Sequence, residues 1–231
     1  MTLRRIKRVV KSIPVIGLGL VYLYRQMNRF KSSSEYWERR YRNGGNSGPG
    51  SYNRLAQFKA EFLNQFVSSY QVTSVIEWGC GDGAQLKLAR YPTYTGIDVS
   101  PTAVSRCRGF FAYDPSKKFL TLHSVPRGSI ADLSLSLDVI FHLVEDPVYE
   151  SYMRDLFDSA GTFVIVYSSN LDLEWPHKHV RHRQFTRWVE LQRPEWKLYS
   201  RLNNAYPYDA RDPEQTSFAD FFVFAKRHKN M

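Results

Sequence analysis

Acidic residues end two apolar segments, and the residues that follow have types and spacing suited to binding a nucleoside. The segment 75–77 ends at Glu77 and is followed by glycine at every second position, at Gly79, Gly81 and Gly83. A second apolar segment ends at Asp98, fifteen residues after Gly83. Glycine permits a tight strand-to-helix turn and lets a ligand lie against the backbone. A carboxylate at a strand end can accept hydrogen bonds from both hydroxyls of a ribose.

The glycine spacing excludes two common phosphate-binding turns. The order G-x-G-x-G lacks the G-x-G-x-x-G of dinucleotide-binding folds, and no Gly-Lys-Ser/Thr of a P-loop follows it. An ordinary structural turn is the alternative for the glycines, and a helix N-terminal acid is the alternative for Asp98. The two features in this order and spacing favour a ligand site.

The elements that must position these residues alternate between apolar strands and helices. Strand candidates are 73–77, 94–98, 118–123, 132–140 and 162–168, with two more near 196–202 and 217–225. Helix candidates are 34–42, 52–69, 84–90, 101–108, 147–159 and 183–191. This alternation predicts an α/β fold, a doubly wound and mostly parallel seven-stranded sheet with helices on both faces and an antiparallel edge.

On these segments the sequence resembles the class I S-adenosylmethionine-dependent methyltransferases, over about residues 70–225. Segments 77–83, 97–98 and 133–143 resemble the first, second and fourth-strand motifs of that family. The resemblance implies a Rossmann-like fold, S-adenosylmethionine as cofactor, the glycine turn at its methionyl part and Asp98 at its ribose. The implied cofactor-binding residues are Glu77, Gly79, Cys80, Gly81, Gly83, Asp98 and Asp138. The acid of the family's third motif is missing near 120–126, so adenine contacts are not predicted.

The fourth-strand motif supplies candidate catalytic groups. Asp138 ends an apolar strand, and His142 follows four residues later. A sugar or alcohol hydroxyl must lose its proton as it attacks a methyl group, and imidazole has a suitable ordinary pKa. We predict His142 as the general base and Asp138 as its orienting residue or as a cofactor contact. The alternative for His142 is a hydrogen bond that only stabilises the loop.

A basic cluster at 175–183 follows the fifth strand candidate. One interpretation is a clamp for a sugar or an anion, with substrate-binding residues His179, His182 and Arg183 and with Trp175 stacked on a sugar. A solvated loop is the second interpretation. A metal site that includes His177 ranks third, because no acidic ligand lies among the histidines, and we predict no metal.

The serine and glycine loop 47–51 and the segment 167–170 make the chain similar to bacterial methyltransferases associated with cell-surface polysaccharides. That similarity implies O-methylation of a saccharide or saccharide-lipid, with the loop as a lid; a plain linker is the alternative. Tyr52 and Lys59 could reach the site, but a solvated helix face is the favoured interpretation. Rival functions are methylation of a small molecule and a non-catalytic cofactor-binding module.

The net charge of +10 is concentrated at the N-terminus. Residues 1–42 carry eleven Lys and Arg against two Glu, whereas residues 43–231 are nearly neutral at +1. We therefore predict a basic amphipathic arm, 1–42, and a catalytic domain, 43–231. The arm suits an anionic membrane surface or packing on protein equally. Its uncharged run 13–24 is shorter than the roughly 20 residues of a membrane-spanning helix.

The neutral domain argues against a nucleic-acid acceptor. Two cysteines are too few for a disulfide framework. A cytoplasmic protein is expected, either free or peripheral on the inner face of the membrane, and its oligomeric state is left open.

Overall fold

The structure, a computed structural model, describes residues 30–227. The chain divides into two compact units, residues 1–31 and 32–231. Most of the predicted arm lies outside the described residues. The second unit begins at Ser32 rather than after residue 42. Residues 32–42 belong to it because Glu38 accepts hydrogen bonds from Ser100 and Thr102.

Seven strands form one sheet in the order β3-β2-β1-β4-β5-β7-β6. The strands are β1 (Ser74–Trp78), β2 (Thr93–Asp98), β3 (Lys117–Thr121), β4 (Ala131–Leu137), β5 (Ala160–Ser168), β6 (Trp196–Leu202) and β7 (Asp220–Lys226). Strands β1 to β5 pair in parallel, and β7 pairs antiparallel with both β5 and β6. The predicted seven-stranded sheet and its antiparallel edge are confirmed.

The helices are α1 (Ser33–Arg42), α2 (Asn53–Ser69), α3 (Pro101–Phe110), α4 (Asp146–Asp158) and α5 (Phe185–Gln192). Side-chain caps fix two of the helix starts. Ser32 Oγ accepts a hydrogen bond from the Glu35 amide at α1, and Ser100 Oγ accepts one from Ala103 at α3. A proline in the first turn further favours the start of α3.

Alternating residues of the parallel strands enter two cores, one on each face of the sheet. Val75 joins Leu63 of α2 on one face, and its neighbour Ile76 joins Met153 of α4 on the other. A strand covered on both faces is apolar at successive positions, which explains the continuous apolar runs of the sequence. The helices thus hold the strand ends, and the residues that follow them, in fixed positions.

One predicted helix is shorter than expected. The segment 84–90 forms only a 3₁₀ helix over Gln85–Leu88. Pro92 disfavours helical backbone in the residue before it, so the chain turns extended and enters β2. Between residues 30 and 227, no helix is long and apolar enough to cross a membrane.

Candidate functional site

A cavity of about 370 Å³ lies at the carboxyl ends of β1, β2 and β4. The chain order of the sheet reverses between β1 and β4, and ligands of open α/β sheets bind at such switch points. The volume falls within the range of small-ligand pockets, about 300–1,000 Å³. The position of the cavity makes it the candidate active site.

The glycine turn forms one wall of this cavity. Gly79, Gly81 and Gly83 have φ of 83°, 57° and 77°, in the left-handed region that glycine adopts without steric cost. The Gly81 amide donates a hydrogen bond of 2.9 Å to Asp98 Oδ2. This bond joins the glycine turn to the end of β2, so both predicted features face one site.

Two buried carboxyl groups lie beside the turn. Burial raises the pKa of Glu77 to about 7, although the hydrogen bond from Tyr94 opposes this rise. Burial likewise raises the pKa of Asp98 to about 6, against hydrogen bonds from the Ser100 and Gly81 amides. Both groups therefore titrate close to neutral pH, and their ionised forms gain stability from a cationic ligand.

Helix α1 contributes residues that the sequence analysis did not identify as functional. Ser33, Ser34, Trp37 and Tyr41 line the cavity. Trp37 and Tyr41 are four residues apart and so share one face of the helix. That aromatic spacing was the available signal, but the predicted boundary assigned these residues to the arm.

The loop 43–51 lies against the glycine turn through Asp82. Asp82 accepts hydrogen bonds from the Ser47 amide, the Ser47 hydroxyl and the Tyr52 hydroxyl, at 3.0, 2.8 and 2.8 Å. The Asp82 amide in turn donates to Ser47 Oγ at 3.0 Å. Residues Ser47 and Ser51 line the cavity. The loop therefore makes specific contacts with the turn, as a lid would, and Tyr52 is tied to the site rather than solvated.

Removing one hydroxyl should loosen this loop. In Ser47→Ala the loop loses three hydrogen bonds of the hydroxyl, to Asp82 Oδ1, from the Asp82 amide and with the Tyr41 hydroxyl. We expect amide hydrogen exchange over 46–52 to quicken by at least about tenfold, since each lost bond contributes about 1 kcal/mol. Ser68→Ala, an exposed change at the end of α2, is the matched control. Unchanged exchange over 46–52 would show that the hydroxyl does not hold the loop.

Lys59 of α2 is buried against Asp138, contrary to the expected solvated position. Its side chain is 1% exposed, and Nζ lies 2.5 Å from Asp138 Oδ2. Both residues line the cavity. A lysine is rarely buried without an opposite charge, and Asp138, far away in the sequence, provides it. Asp138 itself has left-handed backbone, with φ of 59°, at the end of β4.

His142 lies in a 3₁₀ turn after β4 and lines the cavity. Its Nδ1 is 3.0 Å from the carbonyl oxygen of His179. A carbonyl only accepts, so Nδ1 carries the proton and Nε2 keeps a free lone pair. Trp37 packs edge-on against the ring, with centroids 4.9 Å apart. The group that orients His142 is thus the His179 backbone, while Asp138 pairs with Lys59.

Burial lowers the pKa of His142 to about 4, although the hydrogen bond to His179 opposes this shift. The imidazole is consequently neutral near pH 7, which is the form that accepts a proton. The neighbouring His179 and Arg40 charges lower the pKa further. The geometry presents a neutral, oriented imidazole at the cavity wall.

The basic cluster is largely engaged with protein groups. His182 is buried, with Nδ1 2.7 Å from Ser169 Oγ. Arg183 donates to the carbonyls of Leu143 and Val144 and pairs with Asp146 at 3.0 Å. These bonds fasten the loop after His142. Within the described part of the chain, no group of three His, Cys, Asp or Glu residues is arranged to hold a metal.

The structure brings most of the predicted site residues to one cavity. Its wall includes Glu77, Gly79, Cys80, Gly81, Asp98, Asp138 and His142. Gly83 faces Cys107 and Phe111 instead. His179, His182 and Arg183 are not part of the cavity wall, but His179 and Arg183 support the loop that carries His142. Their predicted contact with the acceptor stays a prediction.

No known family model matches the chain. Over 92 residues the chain is 28% identical to mouse (Mus musculus) EEF1A lysine methyltransferase 4. That match covers 38% of this chain and 35% of the mouse protein, so the chain spans about a third of the length of the curated relative it matches.

Solved methyltransferase structures have the same fold. The N-methyltransferase NodS of Bradyrhizobium japonicum WM9, with S-adenosyl-L-homocysteine, has a TM-score of 0.62 at 16% identity and covers 86% of this chain and 100% of its own. Magnesium protoporphyrin IX methyltransferase of Synechocystis PCC 6803, with bound S-adenosylmethionine, has a TM-score of 0.60 at 14% identity. The match covers 87% of this chain and 100% of that chain.

The methyltransferase domain of bacterial CtHen1 scores 0.57 at 21% identity, over 74% of this chain and 100% of its own. At 14–21% identity, these neighbours show that the chain shares their fold. The chain has the fold of the class I S-adenosylmethionine-dependent methyltransferases, as its motifs predict.

Proposed function

We propose that this protein is an S-adenosylmethionine-dependent methyltransferase whose acceptor is a hydroxyl of a saccharide or saccharide-lipid. The observation that carries the proposal is His142, a neutral and oriented imidazole in the wall of the cavity that the glycine turn and Asp98 also form. A hydroxyl acceptor needs such a base, because its proton must leave as the oxygen attacks.

The described residues fit the proposed cofactor. Asp98 lies where it can accept the ribose hydroxyls, and the glycine turn leaves backbone exposed to the methionyl part. Four carboxylates line the cavity, from Glu77, Asp98, Asp138 and Asp155, and they favour a cationic sulfonium. Leu122, Val139 and Leu143 give apolar surface on which an adenine can pack.

The chain's residues supply alignment and one proton transfer. When bound, S-adenosylmethionine supplies a methyl group on a positively charged sulfur. His142 Nε2 takes the proton of the acceptor hydroxyl, while the His179 carbonyl holds the ring through Nδ1. Trp37 packs against the His142 ring, and the loop 43–51 is hydrogen-bonded to the glycine turn through Asp82. Positioning of acceptor and methyl group contributes the larger share of the rate enhancement.

A saccharide acceptor is supported by the aromatic surface near the end of β5. The ring of Trp175 packs 5.5 Å from that of Tyr208 and 5.6 Å from that of Phe218, and Tyr208 is exposed. Such rings offer flat apolar surface for a sugar, with hydrogen-bonding groups at its rim.

A lysine side chain is the second candidate acceptor. Its support is the partial identity with a protein named as a lysine methyltransferase. A lysine ammonium must lose its proton before it reacts, but the neutral amine then attacks without a general base, unlike a hydroxyl. The two candidates differ in the bond formed, which is C–O in one case and C–N in the other.

Transfer of labelled methyl groups distinguishes these acceptors. Extract of the organism that carries the gene is incubated with the protein and methyl-labelled S-adenosylmethionine, then fractionated and hydrolysed. We expect label in an O-methyl sugar from the saccharide or lipid fraction. Label in methyl-lysine would replace the saccharide proposal with the lysine one, and cofactor binding without label in any fraction would favour the non-catalytic module.

The basic N-terminal residues are proposed to attach the enzyme to an anionic membrane surface. Lys and Arg near a bilayer each contribute about 1 kcal/mol, and the attraction is screened by salt. We expect full-length protein to sediment with anionic vesicles at low salt, but not with neutral vesicles or at high salt. Deleting residues 1–31, the first compact unit, should abolish sedimentation and leave cofactor affinity unchanged. Full-length protein that does not sediment with anionic vesicles at low salt would contradict this proposal.

A further inference from the structure

A single strong cation lies in the wall of a cavity that is otherwise acidic. Among the described residues that line it, Lys59 is the one Lys or Arg, beside four carboxylates. Lys59 Nζ lies 2.5 Å from Asp138 Oδ2 and 5.2 Å from the centroid of the Tyr167 ring. An ammonium has three N–H donors. Its bond to Asp138 therefore leaves capacity for a second anion.

A buried acceptor atom without a partner belongs to the wall of the same cavity. Gln85, also in the cavity wall, is 8% exposed. Its Nε2 donates to the Ala56 carbonyl at 3.0 Å, which fixes the orientation of the amide. Its Oε1 is buried and has no hydrogen-bond partner among the described residues. Because Ala56 and Lys59 are one turn apart on α2, Gln85 and Lys59 border the same part of the cavity.

Buried acceptors in native proteins almost always have a donor, so Gln85 Oε1 points to a ligand. The ligand group that suits both side chains carries an anion for Lys59 and an N–H donor for Gln85. An α-amino-acid zwitterion has both on one carbon atom. The proposed cofactor ends in such a group.

We propose that Lys59 and Gln85 form a subsite that recognises the α-amino-acid end of the cofactor. Lys59 Nζ binds the carboxylate, and Gln85 Oε1 accepts a hydrogen bond from the ammonium. Asp138 keeps the lysine in place through its existing bond. This inference rests on the proposed function and adds to it the residues that separate the complete cofactor from its truncated analogues.

Calorimetry with three ligands tests the subsite on the full-length protein. The ligands are S-adenosylhomocysteine, its decarboxylated analogue and its deaminated analogue. We expect wild type to bind S-adenosylhomocysteine about 10- to 100-fold more tightly than either analogue, which is the usual range for a hydrogen bond to a charged group.

Two variants test which residue binds the carboxylate of the zwitterion and which binds its ammonium. Lys59→Met should weaken binding of S-adenosylhomocysteine about 10- to 100-fold, yet change binding of the decarboxylated analogue by less than about threefold. Gln85→Leu should weaken binding of S-adenosylhomocysteine but leave binding of the deaminated analogue unchanged. Lys87→Met is the matched control. Lys87 lies in the same 3₁₀ helix as Gln85, but its side chain is exposed and packs over the Phe110 ring.

The outcomes separate this inference from the proposed function. Wild type that binds none of the three ligands would contradict the function and the subsite together. Wild type that binds all three with equal affinity would overturn the subsite alone, even if Lys59→Met fails to fold. Equal losses for all three ligands in Lys59→Met would also overturn it, since they would indicate a structural role only.

Discussion

Gly81→Val should abolish detectable binding of S-adenosylmethionine and S-adenosylhomocysteine. Gly81 has φ of 57°, where a β-branched residue costs on the order of 1–3 kcal/mol. An added Cβ would also lie 2.3 Å from Ser47 Oγ and 2.9 Å from the Tyr41 hydroxyl. The turn must then shift, which disturbs the Gly81 amide bond to Asp98 and displaces the loop. We expect at least a 100-fold loss, since each 1.4 kcal/mol is about tenfold in affinity.

Calorimetry on wild type and variant measures this effect. Gly109→Val is the control, because a Cβ at Gly109 meets nothing within 4 Å and the residue lies in helix α3. Its affinity should equal that of wild type. Thermal unfolding of each protein distinguishes loss of binding from loss of folding. Equal affinity of Gly81→Val and wild type would show that the glycine turn is not the cofactor site.

The glycine turn and Asp98 were predictable because local patterns determine them. The runs of apolar residues predict β1 and β2 to within one residue of their observed bounds. Because these strands are parallel, their carboxyl ends lie at one edge of the sheet. The position of His142 is predictable in the same way, because it follows the apolar run that forms β4. No longer-range knowledge was needed for these residues.

Lys59 and Trp37 were not predictable in this way. On helix α2, Lys59 follows Phe58 of the apolar stripe, and the pattern predicts an exposed polar position there. Its burial depends on Asp138, whose distance along the chain hides the pair. Trp37 lies in the segment whose charge suggested an arm, whereas tertiary bonds such as Ser33 to Glu145 tie that helix to the domain. Pairings between distant residues decided both positions.

His142→Ala should lower single-turnover methyl transfer by about 10²- to 10⁴-fold, the usual contribution of a general base. Cofactor affinity should change little, because the glycine turn and Asp98 remain. His123→Ala is the matched control, since His123 is exposed and is not part of the cavity wall. Its rate should equal that of wild type.

The pH dependence of the rate separates a base from a merely structural histidine. Only neutral His142 accepts a proton, so the wild-type rate should fall as the pH drops through the lowered pKa of about 4, not through the ordinary 6.5. Glu77 and Asp98 protonate earlier, near pH 7 and 6, and their protonation weakens attraction of a cationic cofactor. Saturating cofactor is therefore required at every pH.

At saturating cofactor, the variant should lack the acid limb that wild type shows near pH 4. A slow rate with an unchanged acid limb would assign that limb to another group and leave His142 a positioning role through Trp37. A variant with wild-type rates would remove His142 from the mechanism. Catalysis would then rest on alignment of acceptor and methyl group alone, which suits an acceptor that reaches the site already deprotonated. That result would favour the lysine acceptor over the saccharide hydroxyl, because a neutral amine attacks without a base.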